Sequence, residues 1–178
     1  DVNGFGGILA DDMGLGKTIQ IIALLQAEAQ EHPESQSLII CPASLVYNWE
    51  NELKRFAPGL TVQTVTGTAP EREEILRIAV QTGMETTQAA LKTAVIRHPQ
   101  ILITSYDLLK RDITCYEPFQ FRFQVIDEAQ YIKNPGTQAA KGVKKITAAF
   151  KLALTGTPIE NRLSELWSIF DYLMPGFL

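Results

Sequence analysis

The 178-residue chain is poor in the residues that build metal centres and covalent staples. It holds two cysteines, Cys41 and Cys115, and two histidines, His32 and His98, none at metal-ligand spacing. That argues against a disulfide scaffold and a zinc module, and it leaves both cysteines as packing residues of a reducing compartment. No apolar run approaches the roughly 20 residues that span a bilayer, so no membrane partner is expected. A basic excess is missing too: 16 Lys and Arg against 20 Asp and Glu leave a net charge of −4. This balance argues against a broadly basic nucleic-acid binder. It leaves room for a narrow strip that contacts phosphates through backbone amides, hydroxyls and helix N-termini. The one basic cluster, Lys141, Lys144, Lys145 and Lys151, reads as a solvated helix face. The start, Asp1-Val2-Asn3-Gly4, has neither a Met nor the basic head and apolar core of a leader, so the sequence reads as a piece of a longer chain. There is no internal repeat or low-complexity tract. With 46% hydrophobic and 20% charged residues the chain has the makings of one substantial core.

What is present begins at once. The apolar stretch Gly7-Ile8-Leu9-Ala10 runs into Asp11-Asp12-Met13-Gly14-Leu15-Gly16-Lys17-Thr18, and an amphipathic run from Ile19 to Leu25 comes next. A strand, a glycine-rich turn ending in Gly-Lys-Thr and then a helix is how a chain cradles the phosphates of a nucleoside triphosphate. Gly14 and Gly16 let the backbone turn its N–H groups around an anion, and the helix points its positive end at the same place. Lys17 is placed to reach the β- and γ-phosphates of ATP, and the Thr18 hydroxyl to hold Mg²⁺. Asp12, Met13 and Leu15 complete the candidate binding turn. One position departs from the strict pattern: Asp11 stands where its first glycine belongs.

Far downstream, the short apolar run Phe123-Gln124-Val125-Ile126 ends in Asp127-Glu128-Ala129-Gln130. A carboxylate pair at the carboxyl end of a strand is the second half of such a site. Asp127 is the candidate to hold Mg²⁺ through its water shell, and Glu128 to polarise the attacking water.

Further apolar runs sit at residues 38–41, 101–104 and 152–155, and residues 62–66 alternate weakly like a strand, with helical patterns between. Strands alternating with helices predict an α/β fold: a three-layer parallel β-sheet with helices on both faces. Ligands then gather beyond the carboxyl ends of the strands. Ser44 is expected to cap a helix running to about Phe56, with Leu45, Trp49, Leu53 and Phe56 facing the core. Residues 70–97 read as helix broken at Gly83, and a last helix is expected from about Ser164 to Leu173.

Together the motifs resemble the first lobe of the Swi/Snf-type ATPases, DNA translocases of helicase superfamily two. The segment from Gly7 to Thr18 looks like their motif I, which tolerates Asp11. Ile40-Cys41-Pro42-Ala43-Ser44-Leu45-Val46-Tyr47-Asn48-Trp49 resembles motif Ia, and Ile103-Thr104-Ser105-Tyr106 motif Ib. Asp127-Glu128-Ala129-Gln130 with Tyr131-Ile132-Lys133-Asn134 resembles motif II. Leu154-Thr155-Gly156-Thr157-Pro158-Ile159-Glu160-Asn161 with Leu166-Trp167 resembles motif III.

The resemblance implies one P-loop, RecA-like ATP-binding lobe over residues 1–178. It implies a partner in double-stranded DNA, gripped along one backbone by Pro42, Ala43, Ser44, Asn48, Ser105 and Tyr106. Gln130, Thr155, Gly156 and Thr157 are implied to couple hydrolysis to lobe movement. An adenine-recognition segment upstream and a second RecA-like lobe with arginine fingers downstream are expected outside these residues, so the lobe alone is expected to be nearly inactive. A protein bound to DNA is the expected target of remodelling. The compact motif spacing points to a bacterial cytoplasm, at the nucleoid, rather than a nucleus. Two other readings stay open: a superfamily-two helicase that separates strands, and a nucleotide- or DNA-binding module without turnover.

Overall fold

Apolar runs that alternate with amphipathic helices bury both faces of a sheet, and the chain does so with six strands. The computed structural model describes residues 6–10, 16–81, 98–156 and 163–174. Within them the strands are β1 (Gly7–Ala10), β2 (Ser37–Cys41), β3 (Val62–Thr64), β4 (Ile101–Ser105), β5 (Phe121–Ile126) and β6 (Ala148–Thr155). They pair in the order β1-β6-β5-β2-β4-β3, and every pairing is parallel. The helices are α1 (Lys17–Glu31), α2 (Val46–Phe56), α3 (Ala69–Gln81), α4 (Tyr106–Arg111), α5 (Gln138–Lys145) and α6 (Leu163–Leu173).

The side-chain alternation of a strand sorts the core into two layers. On β2, Ile39 and Cys41 pack with Ile21, Ile22 and Leu25 of α1 and with Trp49 and Leu53 of α2. Leu38 and Ile40 point the other way, to Leu76 of α3, Leu109 of α4, Val143 of α5 and Ile169 of α6. Two helices therefore cover one face and four the other, which is the expected three-layer architecture. β2 and β4 are buried along their whole length, as strands covered on both faces are.

The register brings the strand ends level. Ala10 pairs with Thr155, Ile126 with Ala153 and also with Ile40, and Cys41 with Ser105. The residues just beyond these ends thus lie along one edge of the sheet.

Four local expectations are corrected. Ser44 does not cap a helix: residues Ala43–Leu45 form a 3₁₀ turn closed by Leu45 N–H donating to the Pro42 carbonyl at 2.9 Å, and α2 begins at Val46 without a side-chain cap. Phe56 is not a core residue but is 40% exposed, while Trp49 and Leu53 are buried as expected. β6 begins at Ala148, ahead of the continuous apolar run, because its first half is only partly covered. The lysine cluster is only partly solvated. Lys144 pairs with Asp171, and the Lys151 ammonium sits 5.2 Å from the centre of the Tyr172 ring, with its pKa lowered by burial. Gly83 and the rest of the predicted helix after Gln81 lie outside the described residues.

Candidate nucleotide and nucleic-acid site

Gly16 ends the phosphate turn in the left-handed region, φ 80° and ψ 12°, and is the N-cap of α1. A side chain would be strained there, which is why glycine precedes the lysine. The first turn of α1 presents Lys17 and Thr18, both partly buried, at the positive end of a 15-residue helix. Asp12, Met13, Gly14 and Leu15 lie outside the described residues, as does Asp11. An open depression of about 280 Å³ lies against this turn, lined by Gly16, Lys17, Thr18 and Ile19 and by Glu52, Arg55 and Phe56 of α2. It explains why Phe56 is exposed. The Arg55 guanidinium lies 5.0 Å from the centre of its ring.

Asp127 follows β5 at the middle of the sheet edge, and four hydrogen bonds fix it. Its N–H donates to the Ile40 carbonyl at 2.8 Å, and its carbonyl accepts from the Tyr106 hydroxyl at 2.7 Å. Its Oδ2 accepts from the Trp49 indole Nε1 at 2.9 Å, and its Oδ1 from the Glu128 N–H at 2.8 Å. Burial raises the pKa of this carboxyl. The Trp49 and Glu128 donors and the Lys17 charge work against that rise, and the Glu128 charge adds to it. A carboxylate drawn out of water is a ready cation partner, and Asp127 with the Thr18 hydroxyl is the hard oxygen set that Mg²⁺ takes. The residues fit the ion.

Glu128 is the only non-glycine residue at positive φ among the described residues, at φ 53° and ψ 57°. Such a conformation costs about 1–3 kcal/mol and persists where its surroundings hold it. Here the Glu128 N–H donates to Asp127 Oδ1 at 2.8 Å and its carbonyl accepts from the Tyr131 N–H at 2.9 Å, while Gln130 Nε2 donates to Glu128 Oε2 and Gln130 Oε1 accepts from the Thr155 hydroxyl at 3.4 Å. One amide therefore touches both the carboxylate after β5 and the hydroxyl that ends β6. Gly156 comes directly after that hydroxyl, and Thr157 lies outside the described residues.

The candidate DNA residues divide into two groups. Pro42 is partly buried, and Ala43, Ser44 and Asn48 are exposed on the turn and first helical turn after β2. Asn48 Nδ2 donates to Glu52 Oε1 at 3.4 Å. Ser105, the last residue of β4, and Tyr106, the first of α4, are buried at 2% and 4% exposure. The Ser105 hydroxyl caps α4 by accepting from Leu108 N–H, and the Tyr106 ring stacks on Tyr131 with centroids 5.1 Å apart. Both side chains are committed inward, which leaves their main chain as the part of this segment that could meet a phosphate. Cys41 is a packing residue: burial, with Asp127 beside it, pushes its thiol up to about 12.

Sequence reasoning places Trp49 in the core but does not show its indole N–H reaching Asp127, nor Arg55 and Phe56 beside the phosphate turn. A tryptophan at a buried helical position signals that some acceptor is needed, not which one.

The SNF2-related domain matches residues 1–178, the whole chain. The chain belongs to that family. It is 44% identical over 177 residues to an uncharacterized ATP-dependent helicase of Mycoplasma pneumoniae, covering 99% of this chain and 15% of the relative. It is 39% identical over 184 residues to the TATA-binding protein-associated factor MOT1 of Saccharomyces cerevisiae, covering 97% of this chain and 9% of that protein. Among solved structures, the Sulfolobus solfataricus SWI2/SNF2 ATPase core in complex with dsDNA superposes with a TM-score of 0.77 at 38% identity. That match covers 98% of this chain and 32% of the core. The fold of this SNF2-related domain is thus that of part of such a core, and the chain spans a small fraction of its relatives' length.

Proposed function

We propose that this SNF2-related domain is the ATP-binding lobe of a DNA-dependent ATPase that moves along duplex DNA and remodels protein–DNA complexes. The observation that carries the reading is the arrangement at the sheet edge. The carboxylate pair after β5 is tied on one side to the Thr155 hydroxyl through Gln130, and on the other to the α2 segment through Trp49. Such links give a ligand at either end a mechanical route to the reacting centre. A relative of known structure holds dsDNA, and another is named an ATP-dependent helicase.

In this reading Lys17 neutralises the β- and γ-phosphates, and the amides at the start of α1 bind their oxygens. Thr18 and Asp127 would hold Mg²⁺, which would supply positive charge against that building on the phosphates. Glu128 takes the proton of the attacking water, oriented by Gln130. The exposed turn and helix start with Ala43, Ser44 and Asn48 take one DNA backbone, a contact that positions without reading sequence. The second lobe of the same parent chain closes the site and supplies arginine, worth about 10³–10⁵ in rate in related NTPases. The target is a protein bound to that DNA. The compact motif spacing supports a bacterial cytoplasm, at the nucleoid, as the place of action.

The test is a pair of assays on the full-length protein. Duplex DNA is expected to stimulate ATP hydrolysis, and ATP to drive displacement of a third strand from a triplex without separating the duplex. Separation of the duplex itself would instead favour a strand-separating helicase. Nucleotide binding with no turnover, with or without DNA, would leave a binding module.

A further inference from the structure

Two buried aromatic donors converge on one residue. Trp49, 1% exposed, sends its indole N–H to Asp127 Oδ2 at 2.9 Å, and Tyr106, 4% exposed, sends its hydroxyl to the Asp127 carbonyl at 2.7 Å. Most buried polar groups find partners, so an acceptor for each is expected. The acceptor they share is 78 residues from Trp49 and 21 from Tyr106. The two donors come from different helices, α2 and α4, which come after neighbouring strands β2 and β4.

The two helices anchor differently. α4 is fixed to the strand end by the Ser105 cap, and its Tyr106 ring is clamped by Tyr131. α2 starts without a side-chain cap, directly after the exposed 3₁₀ turn Ala43–Leu45. Trp49 lies on its first turn, so a ligand that shifts residues 43–48 shifts the indole N–H with them. Asp127 Oδ2 is therefore held from the helix that follows the exposed turn, and its carbonyl from a helix capped at its own strand end.

We propose that Trp49 and Tyr106 are positioning residues for Asp127, and that Trp49 makes the Mg²⁺ affinity of the site respond to what occupies the exposed turn after β2. The proposal rests on the reading of Asp127 as the metal-side carboxylate. Loss of a group that orients a metal ligand costs about 10–100-fold in metal affinity, and Asp127 acts through water, so the low end applies.

The test uses the full-length protein and reads binding rather than turnover. A fluorescent ATP analogue is titrated with Mg²⁺ to find the half-saturating concentration, with thermal unfolding recorded beside it. The Trp49→Phe variant keeps a ring in the core and removes the N–H. It is expected to raise the half-saturating Mg²⁺ about tenfold. The Tyr106→Phe variant removes only a neutral hydrogen bond to the main chain and is expected to raise it about threefold. Duplex DNA is expected to shift the Mg²⁺ requirement of the wild type and to shift that of Trp49→Phe less.

Lowered melting temperatures with an unchanged Mg²⁺ requirement would reduce both residues to packing and overturn the proposal. If Trp49→Phe does not fold, Tyr106→Phe decides the positioning role, and a wild-type Mg²⁺ requirement that duplex DNA leaves unshifted overturns the link to the exposed turn. An equal DNA-induced shift in wild type and Trp49→Phe would overturn the link to the exposed turn. Asp127→Asn separates the two levels of inference. If it raises the Mg²⁺ requirement and the aromatic variants do not, the positioning role fails alone. If it changes nothing, the metal reading fails, and the proposal with it.

Discussion

The sheet edge has two halves that solve different problems with similar residues. At the ends of β5 and β6, polar groups are turned toward one another: Asp127 Oδ1 takes the Glu128 main-chain N–H, and the side chains of Glu128, Gln130 and Thr155 form a hydrogen-bonded series, with Glu128 held in the left-handed region. After β2 and β4, the corresponding polar side chains do not meet. Ser105 is spent on capping α4, and Ser44 and Asn48 face solvent. The first half is built to keep a few groups in fixed mutual geometry, as chemistry requires. The second half offers an exposed turn on a rigid strand end, which suits contact with a large partner. The difference teaches that location at the carboxyl edge is shared by every motif, while the network of side-chain bonds separates the reacting centre from the contact surface.

The strongest way to break the comparison is to substitute within the reacting half. Glu128→Gln keeps the shape and removes the base. In the full-length protein it is expected to lower the rate of ATP hydrolysis by about 10²–10⁴ while ATP binding persists. Steady-state hydrolysis with a parallel binding titration checks it. Hydrolysis at the wild-type rate would place the base elsewhere. It would also leave the left-handed strain at Glu128 unexplained.

A smaller effect is expected one bond further out. Gln130→Ala cuts both the bond to Glu128 and the bond to Thr155. Each is a hydrogen bond worth about 1 kcal/mol, so together they set an orientation rather than the chemistry. DNA-stimulated hydrolysis is expected to fall about tenfold, and Thr155→Val about threefold, with the double variant no worse than Gln130→Ala alone. Strictly additive losses would mean that Gln130 and Thr155 act separately.

The fold and the outline of the site are legible in the sequence for a physical reason. Buried parallel strands must be continuously apolar, and a phosphate turn must carry glycine, lysine and a hydroxyl in a fixed order. The carboxylate pair is located by the apolar run before it, because the end of β5 is the end of that run. The failures share a cause as well. Ser44 and Ser105 both stand where a strand gives way to a helix, and nothing local says that only one of them will cap. The choice depends on whether a 3₁₀ turn intervenes, as it does after Pro42. Phe56 has the right helical spacing for the core, but α1 leaves a depression where it would have packed. The bond from Trp49 to Asp127 joins residues 78 apart and is a property of the assembled sheet, not of either segment.

The gentlest test uses those two serines. Ser105→Ala removes an N-cap whose hydroxyl is buried, and is expected to cost about 1 kcal/mol of stability. Ser44→Ala removes an exposed hydroxyl that caps nothing, and is expected to change stability by less than about 0.5 kcal/mol. On duplex DNA affinity the order should reverse: the exposed serine is expected to matter modestly and the buried one hardly at all. Denaturant unfolding and a DNA-binding titration of the two variants measure both quantities. If Ser105→Ala weakened DNA binding at unchanged stability, the inward commitment of the β4 end would be wrong. The distinction between the two halves of the edge would then have to be drawn at β5 alone.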